Sequence, residues 1–318
     1  WQAGGEYTYT VSLAAAKDPG YTIEGNGSYT VTSADGLINV AELVNGGKTD
    51  INITLGKNID LTGKGWTPIG TNYEKRYKGT FDGRGHTIKG LTVTTNDQFV
   101  GLFGYLDRAG TVKNVVMEGI QITSNHVLMS GNTGGVVGYS WGTIENCSVS
   151  GSVSGTVYVG GVVGVQRDGS ITGCSSSATV KGTLNVGGVA GQTIFGATLT
   201  ACYATGNVII EIDRTQNISG GGLVGFNDGI SLLACYATGN VTSTGSSTGY
   251  VHIGGFLGNN YTTVTACYWK NNHEQGIGYN RKSTGATKVD GTDVTWQKAV
   301  DAMNTALQNA GSEWRYEL

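Results

Sequence analysis

The sequence is short of charge, short of histidine and free of long apolar runs, and each shortage removes a class of function. Charged residues make up 14% of the 318 positions, with a formal net charge of −3 and no basic cluster. The electrostatic footprint of nucleic-acid binding is therefore missing, while neutral ligands such as glycans stay open. Glycine and proline together are 54 + 2 = 56 residues, about 18%, below the ~25–30% of low-complexity disorder. No apolar run approaches the ~18 residues of a membrane span. The histidines, His86, His126, His252 and His273, include no two spaced by four, so a His-Glu-x-x-His zinc site is absent. No Cys-x-x-Cys pair exists, which argues against a metal or redox centre. No cofactor is expected. The chain opens at Trp1 in a strand-like pattern, without Met or a secretory signal pattern. It reads as a piece of a longer protein.

What the chain does have is a repeat. A Gly-x-x-Gly box occurs at Gly101, Gly135, Gly161, Gly188, Gly222 and Gly255. Each is followed 12 to 14 residues later by a fixed partner: Val115, Cys147, Cys174, Cys202, Cys235 or Cys267. First glycines are 34, 26, 27, 34 and 33 residues apart, a period typical of repeat architectures. The residue three before each Cys is Ile, Leu or Val, and a further strand signal follows near Val153, Val180, Val208 and Val241. Glycine suits tight corners and close backbone approach. A single coil cannot bury its apolar face, so stacked coils must supply the core. The five cysteines then form one column at about 4.8 Å spacing. Stacked side chains point the same way rather than at each other, so buried, reduced thiols are expected.

The flanks differ from the repeats. Trp1 to Leu13 alternates like an edge strand. A short helix is expected from about Asp35, its apolar stripe Leu37, Val40, Ala41 and Val44, its stop Gly46. Strands Ile51–Leu55 and Ile59–Leu61 follow. Residues 293–310 read as an amphipathic helix through Trp296, Val300, Met303 and Leu307, stopped by Gly311.

Catalytic motifs fail on context. Gly138-Tyr-Ser-Trp-Gly142 matches a nucleophile elbow at Ser140, but no helix pattern follows and its counterparts in other repeats are ordinary turns. Gly220-Gly-Gly-Leu-Val-Gly225 lacks a crossover helix. Gly46-Gly-Lys-Thr49 lacks the leading glycine of a P-loop, since position 42 is Glu. Between 127 and 210 the only carboxylates are Glu145 and Asp168, too few for the clustered acids of a polysaccharide hydrolase or lyase.

Two features suit binding. Tyr203, Tyr236 and Tyr268 each follow a cysteine, with Trp269 next. If Cys points inward, the tyrosines point outward, as a platform for a sugar or peptide or simply as a stabilising aromatic ladder. Repeat lengths are also uneven. The extra residues fall at His126–Asn132, Glu211–Ile218 and Ser243–Tyr250, expected at one corner and carrying Glu211, Asp213 and Arg214.

The Gly-Leu-x-Gly boxes at Gly101 and Gly222, with their relaxed copies, resemble the GLUG motif. That motif recurs in bacterial surface proteins and in some IgA-specific metallo-endopeptidases, whose zinc domain this chain lacks. The stretch Trp66-Thr-Pro-Ile-Gly70 to Gly79-Thr-Phe-Asp-Gly-Arg-Gly-His-Thr-Ile-Lys-Gly-Leu91 resembles the module preceding such repeats in surface proteins of Bacteroidetes. Trp1 to Leu13 is similar to the last strand of their fimbrillin-like adhesin domains. The resemblance implies a cell-surface or secreted protein of the outer envelope, often an adhesin, with no established catalytic residues in the repeats.

The expected fold is all-β: a right-handed parallel β-helix or β-solenoid with short helical caps at both ends. Residues 1–20 would belong to a preceding β domain or linker, 21–98 to a capping module and first coils, 99–272 to six repeats, and 273–318 to a helical cap. The expected function is a non-enzymatic adhesin, interaction or stalk module, with host glycans, matrix proteins or other cell-surface proteins as partners. The alternative is a carbohydrate-active β-helix enzyme.

Overall fold

The computed structural model of the protein describes residues 18–196, 198–212, 216–229, 231–282 and 285–318. The strand expected at Trp1–Leu13 lies outside them. The chain winds into a β-solenoid of about seven turns with two short helices. One coil shows the plan: Thr143–Glu145, Ser148–Ser154, Tyr158–Gly160 and Val163–Gln166 occupy four successive sides. Each strand pairs in parallel with its counterparts one coil before and after, so the sides become four sheets running along the axis. On the first side Ile144 pairs with Val112 and Ile171, and the column continues through Leu199, Leu232 and Val264. All these side chains are buried. The exception to parallel pairing is an N-terminal hairpin, Tyr21–Ile23 against Tyr29–Val31.

The Gly-x-x-Gly box sits where the third side turns into the fourth. A Cβ on the first glycine would strike the next coil: Gly188 would meet the Gly222 carbonyl oxygen at 2.2 Å, and Gly222 that of Gly255 at 2.2 Å. A Cβ on the second would strike the third-side backbone of the preceding coil. The distance is 2.5 Å from Gly191 to Val159 N, 2.5 Å from Gly225 to Val186 N and 2.6 Å from Gly258 to Gly220 N. The box therefore marks two backbone layers in contact with no side-chain layer between them.

The corner between the first and second sides turns on one left-handed residue just before the inward column. Asn114, Asn146, Gly173, Ala201, Ala234 and Ala266 hold φ of 56°, 49°, 62°, 52°, 53° and 47°. This conformation costs an ordinary L-residue about 1–2 kcal/mol, and asparagine and glycine tolerate it best.

Helix α1, Ala34–Asn45, is capped by Ser33, whose side chain accepts from Gly36 N; the cap lies two residues before Asp35. Its Leu37, Val40, Ala41 and Val44 join the main core. Helix α2, Trp296–Asn309, is capped by Thr295 and buries Ala299, Val300, Met303 and Leu307. It caps from the side, packing on Ala201, Ala234, Tyr268 and Val289 over the last coils. Coil pairing does not stop at 272 as expected. Ile277–Asn280 pairs with Leu257–Asn260, and Thr287–Lys288 with Tyr268–Trp269. Parallel ladders outlast the cysteine column because the last strands need only a backbone edge to join.

Candidate functional site

The five cysteines lie inside, fully buried and free. Each thiol donates to a carbonyl at its own corner: Cys147 to Glu145 O at 3.2 Å, Cys174 to Thr172 O at 3.4 Å, Cys202 to Thr200 O at 3.2 Å. The sulfurs in turn accept from the backbone one coil back, as in Cys202 N to Cys235 Sγ and Cys235 N to Cys267 Sγ, both 3.4 Å. Each of these carbonyls also accepts a backbone N–H from the preceding coil, as in Asn114 N to Glu145 O at 3.0 Å and Asn146 N to Thr172 O at 2.9 Å, so the thiol is its second donor. Burial pushes the Cys147, Cys174 and Cys202 thiols well above the usual thiol range. A disfavoured thiolate makes a poor nucleophile and a poor metal ligand.

The tyrosine column is a ladder under a lid. Tyr203 and Tyr236 stack with centroids 4.8 Å apart and planes 5° apart. Trp296 and Tyr316 stand edge-on over Tyr236 at 5.5 and 5.6 Å, and Tyr316 Oη donates to Ala234 O at 2.9 Å. Tyr268 is buried beneath the same cover. Trp269 departs furthest from the expected outward position. It is 6% exposed, belongs to the main core and donates Nε1 to His273 O. Alternation explains this, because Trp269 is two residues after inward-facing Cys267. An open platform of Tyr203, Tyr236, Tyr268 and Trp269 does not exist, because α2 and the chain after it cover the column and Trp269 fills the end of the core.

Of the charged loop residues, Glu211 is on the surface and pairs with Lys181 at 2.9 Å; exposed pairs of this kind contribute at most about 1 kcal/mol. Asp213 and Arg214 lie outside the described residues. The described parts of the three long segments emerge at one corner, between the second and third sides. Gln216, Asn217 and Tyr250 from two of them form one wall of a cleft of about 690 Å³.

That cleft is the candidate site. Two columns line it. One runs along the third side through Asn185, Ser219 and His252, which are in register. The other runs along the fourth side through Phe226 and Asn259, each after the second glycine of its box, and Tyr279, which is in register with them. Tyr261 completes an aromatic run, 5.6 Å from Phe226 and 6.0 Å from Tyr279. His252 lies 5.0 Å from Tyr279 and stacks on Tyr250 at 6.0 Å. Burial lowers the His252 pKa, so the ring is neutral near pH 7. Asn259, 5% exposed, forms the floor. Its Nδ2 donates to Ser219 Oγ at 3.1 Å, and its Oδ1 has no partner. Arg281 stacks on Tyr261 at 5.3 Å. No carboxylate lines the cleft among the described residues.

The same two columns carry rings at the N-terminal end. Tyr105 and Tyr139 lie 5.0 Å apart and Phe99 5.2 Å from Tyr105. Arg76 stacks on Tyr73 and Arg167 on Trp141. Val165, Asn185 and Gln192, without rings, separate the two clusters. Ser140 is not an elbow nucleophile: it is fully buried in a polar column continued by Gln166, Thr193, Asn227 and Asn260. Asn227 donates to Asn260 Oδ1 at 2.7 Å and Asn260 to Asn280 Oδ1 at 2.8 Å, an amide ladder that ties coils together. Among the described residues no group of three His, Cys, Asp or Glu side chains could hold a metal ion.

Comparison with known proteins decides what the boxes are. The family described as the GLUG motif matches residues 129–154 and 155–181, two adjacent coils with their boxes. Residues 129–181 thus carry two GLUG motifs. The chain is 38% identical over 127 residues to halomucin of Haloquadratum walsbyi, a match covering 36% of this chain and 1% of halomucin. It is 33% identical over 128 residues to a protein of Evansella cellulosilytica provisionally named a Gly-rich membrane protein, covering 38% of this chain and 14% of that one. The chain therefore spans a small fraction of the curated relatives it matches. A crystal structure of a protein from Bacteroides ovatus, provisionally named an immunoglobulin A1 protease, superimposes with a TM-score of 0.68 at 21% identity, covering 91% of this chain and 90% of that one. At that identity the likeness speaks for the fold alone. Among the described residues no helix is long and apolar enough to cross a membrane.

Proposed function

We propose that this GLUG solenoid is a non-enzymatic interaction module of a cell-surface protein, of the adhesin or stalk type. The observation that carries this reading is the lining of the cleft. Rings and neutral amides converge there across three coils with no carboxylate among them, whereas glycoside hydrolysis uses two carboxylates flanking one bond. Parallel stacking supports it, because a solenoid holds such columns at fixed spacing along an extended surface. A surface location fits the name of the Evansella relative and the small share of much longer proteins that the match covers. Glycans, matrix proteins or other surface proteins are the partners a neutral aromatic cleft suits.

The test is an array of glycans and matrix proteins probed with the purified chain, with polysaccharide turnover measured alongside. Retention without product release is the expected result. Release of reducing ends or unsaturated sugars by the purified chain would overturn the non-enzymatic reading.

A further inference from the structure

The cleft of the last coils has a donor and acceptor set specific enough to name a ligand class. We infer that it is a binding site for a neutral oligosaccharide, with Phe226, Tyr261 and Tyr279 as stacking faces and Asn259 as the polar anchor. This rests on the proposed binding role and adds the site and the chemistry.

Three observations carry it. First, the rings of Phe226, Tyr261 and Tyr279 follow one another at 5.6 and 6.0 Å across successive coils, so a chain molecule lying along the axis meets a ring at each step. The apolar faces of sugar rings pack on aromatic faces, while their hydroxyls need donors and acceptors at the edge. Second, the edge groups are of that kind. Gln216, Asn217 and Asn259 amides, the Ser219 hydroxyl and the neutral His252 ring surround the rings, and each amide both donates and accepts. Third, Asn259 Oδ1 is buried without a donor at the floor. An unmet buried acceptor is unfavourable, and a ligand hydroxyl is a small donor able to satisfy it.

An extended peptide suits the site less well. Peptides that bind by strand addition need a free sheet edge. Ile218–Gly221, Val224–Asp228 and Leu257–Asn260 are paired on both flanks, and the edge strands Val251–Gly254 and Ile277–Asn280 offer a free edge at only one end of the cleft. The lining itself holds no Lys or Arg among the described residues, so it gives an acidic ligand no ion-pair partner of its own; Arg281 lies beside it, stacked on Tyr261.

The experiment is calorimetric titration and intrinsic-fluorescence titration of the purified chain with neutral gluco-, xylo-, manno- and galacto-oligosaccharides, with oligogalacturonate and a peptide mixture as comparators. At least one neutral series should bind and perturb the ring fluorescence. Tyr279→Ala and Tyr261→Ala should each weaken binding about tenfold. Asn259→Asp, which puts a charge at the floor, should weaken it further. Tyr73→Ala, in the other aromatic cluster, should leave binding unchanged, and circular dichroism of every variant should match the parent. The inference is overturned if no neutral series binds at millimolar concentration, if only oligogalacturonate or peptide binds, or if Tyr279→Ala and Tyr261→Ala bind as the parent does. Peptide binding alone would leave the non-enzymatic role standing and remove this ligand. Sugar turnover would leave the ligand and remove that role.

Discussion

Replacing Gly225 with alanine should cost several kcal/mol, although it adds one methyl group to ordinary extended backbone. The new Cβ would stand 2.5 Å from Val186 N, 2.6 Å from Gly191 O and 2.9 Å from Asn185 C. All three are backbone atoms in parallel ladders, so no side chain can swing aside. Overpacking a core usually costs about 1–3 kcal/mol. Three rigid partners place this site at the upper end, about 3 kcal/mol or more. Gly65→Ala is the control: no heavy atom lies within 4 Å of its Cβ position. Losing a glycine there narrows the unfolded ensemble, so that variant should be neutral to about 1 kcal/mol more stable. Urea unfolding followed by far-ultraviolet circular dichroism gives both midpoints, compared at equal slope. If Gly225→Ala unfolds within about 0.5 kcal/mol of the parent, the two backbone layers are not in contact and the account of the box is wrong.

Two further predictions concern side chains. A thiol reagent should react slowly with the native protein and find five thiols after denaturation without reductant; fewer than five would mean that disulfides form. Burial pushes the Tyr105 and Tyr236 phenols up to about 12, against about 10 in an unfolded chain. The raised value favours the neutral folded form, so this stability is complete below pH ~10 and is lost as pH rises toward 12. The buried thiols, also raised, add the same effect from about pH 8.5, so urea midpoints should begin to fall there and fall further above pH ~10; a flat profile to pH ~12 would refute the burial of these rings and thiols.

The repeat was legible because backbone contact admits only glycine, and glycine cannot be disguised. The cysteine column was legible for a related reason: Val115 and the five cysteines fill one inward position of similar size. The aromatic cleft was harder to see. Tyr105, Tyr139 and Phe226 each follow a box glycine and Tyr279 follows Gly278, but Val165, Gln192 and Asn259 interrupt the column, so no run of one residue type advertises it. The uninterrupted Tyr203, Tyr236 and Tyr268 drew the eye instead. What disqualifies them is the landing place of the chain after Gly311, which no period encodes. Trp269 could have been placed inward from its two-residue spacing to Cys267. The final coil escaped notice because Gly276-Ile-Gly278 breaks the box spacing and no cysteine follows it.

The segment after α2 changes how this molecule should respond to a pulling force. A solenoid whose coils touch only their neighbours peels from an end, one coil at a time. Here Trp314 reaches back to Gly173, whose missing Cβ would stand 2.2 Å from its ring. Two residues further on, Tyr316 is tied to Ala234 and Asn304, and α2 lies on Tyr268 and Val289. The tail is thus a strap across the coils from Gly173 to Val289. Under tension applied through the C-terminus, the strap must tear before those coils can unwind. They should then release as one block, while the coils before Gly173 keep the step-by-step behaviour of an unstrapped stack.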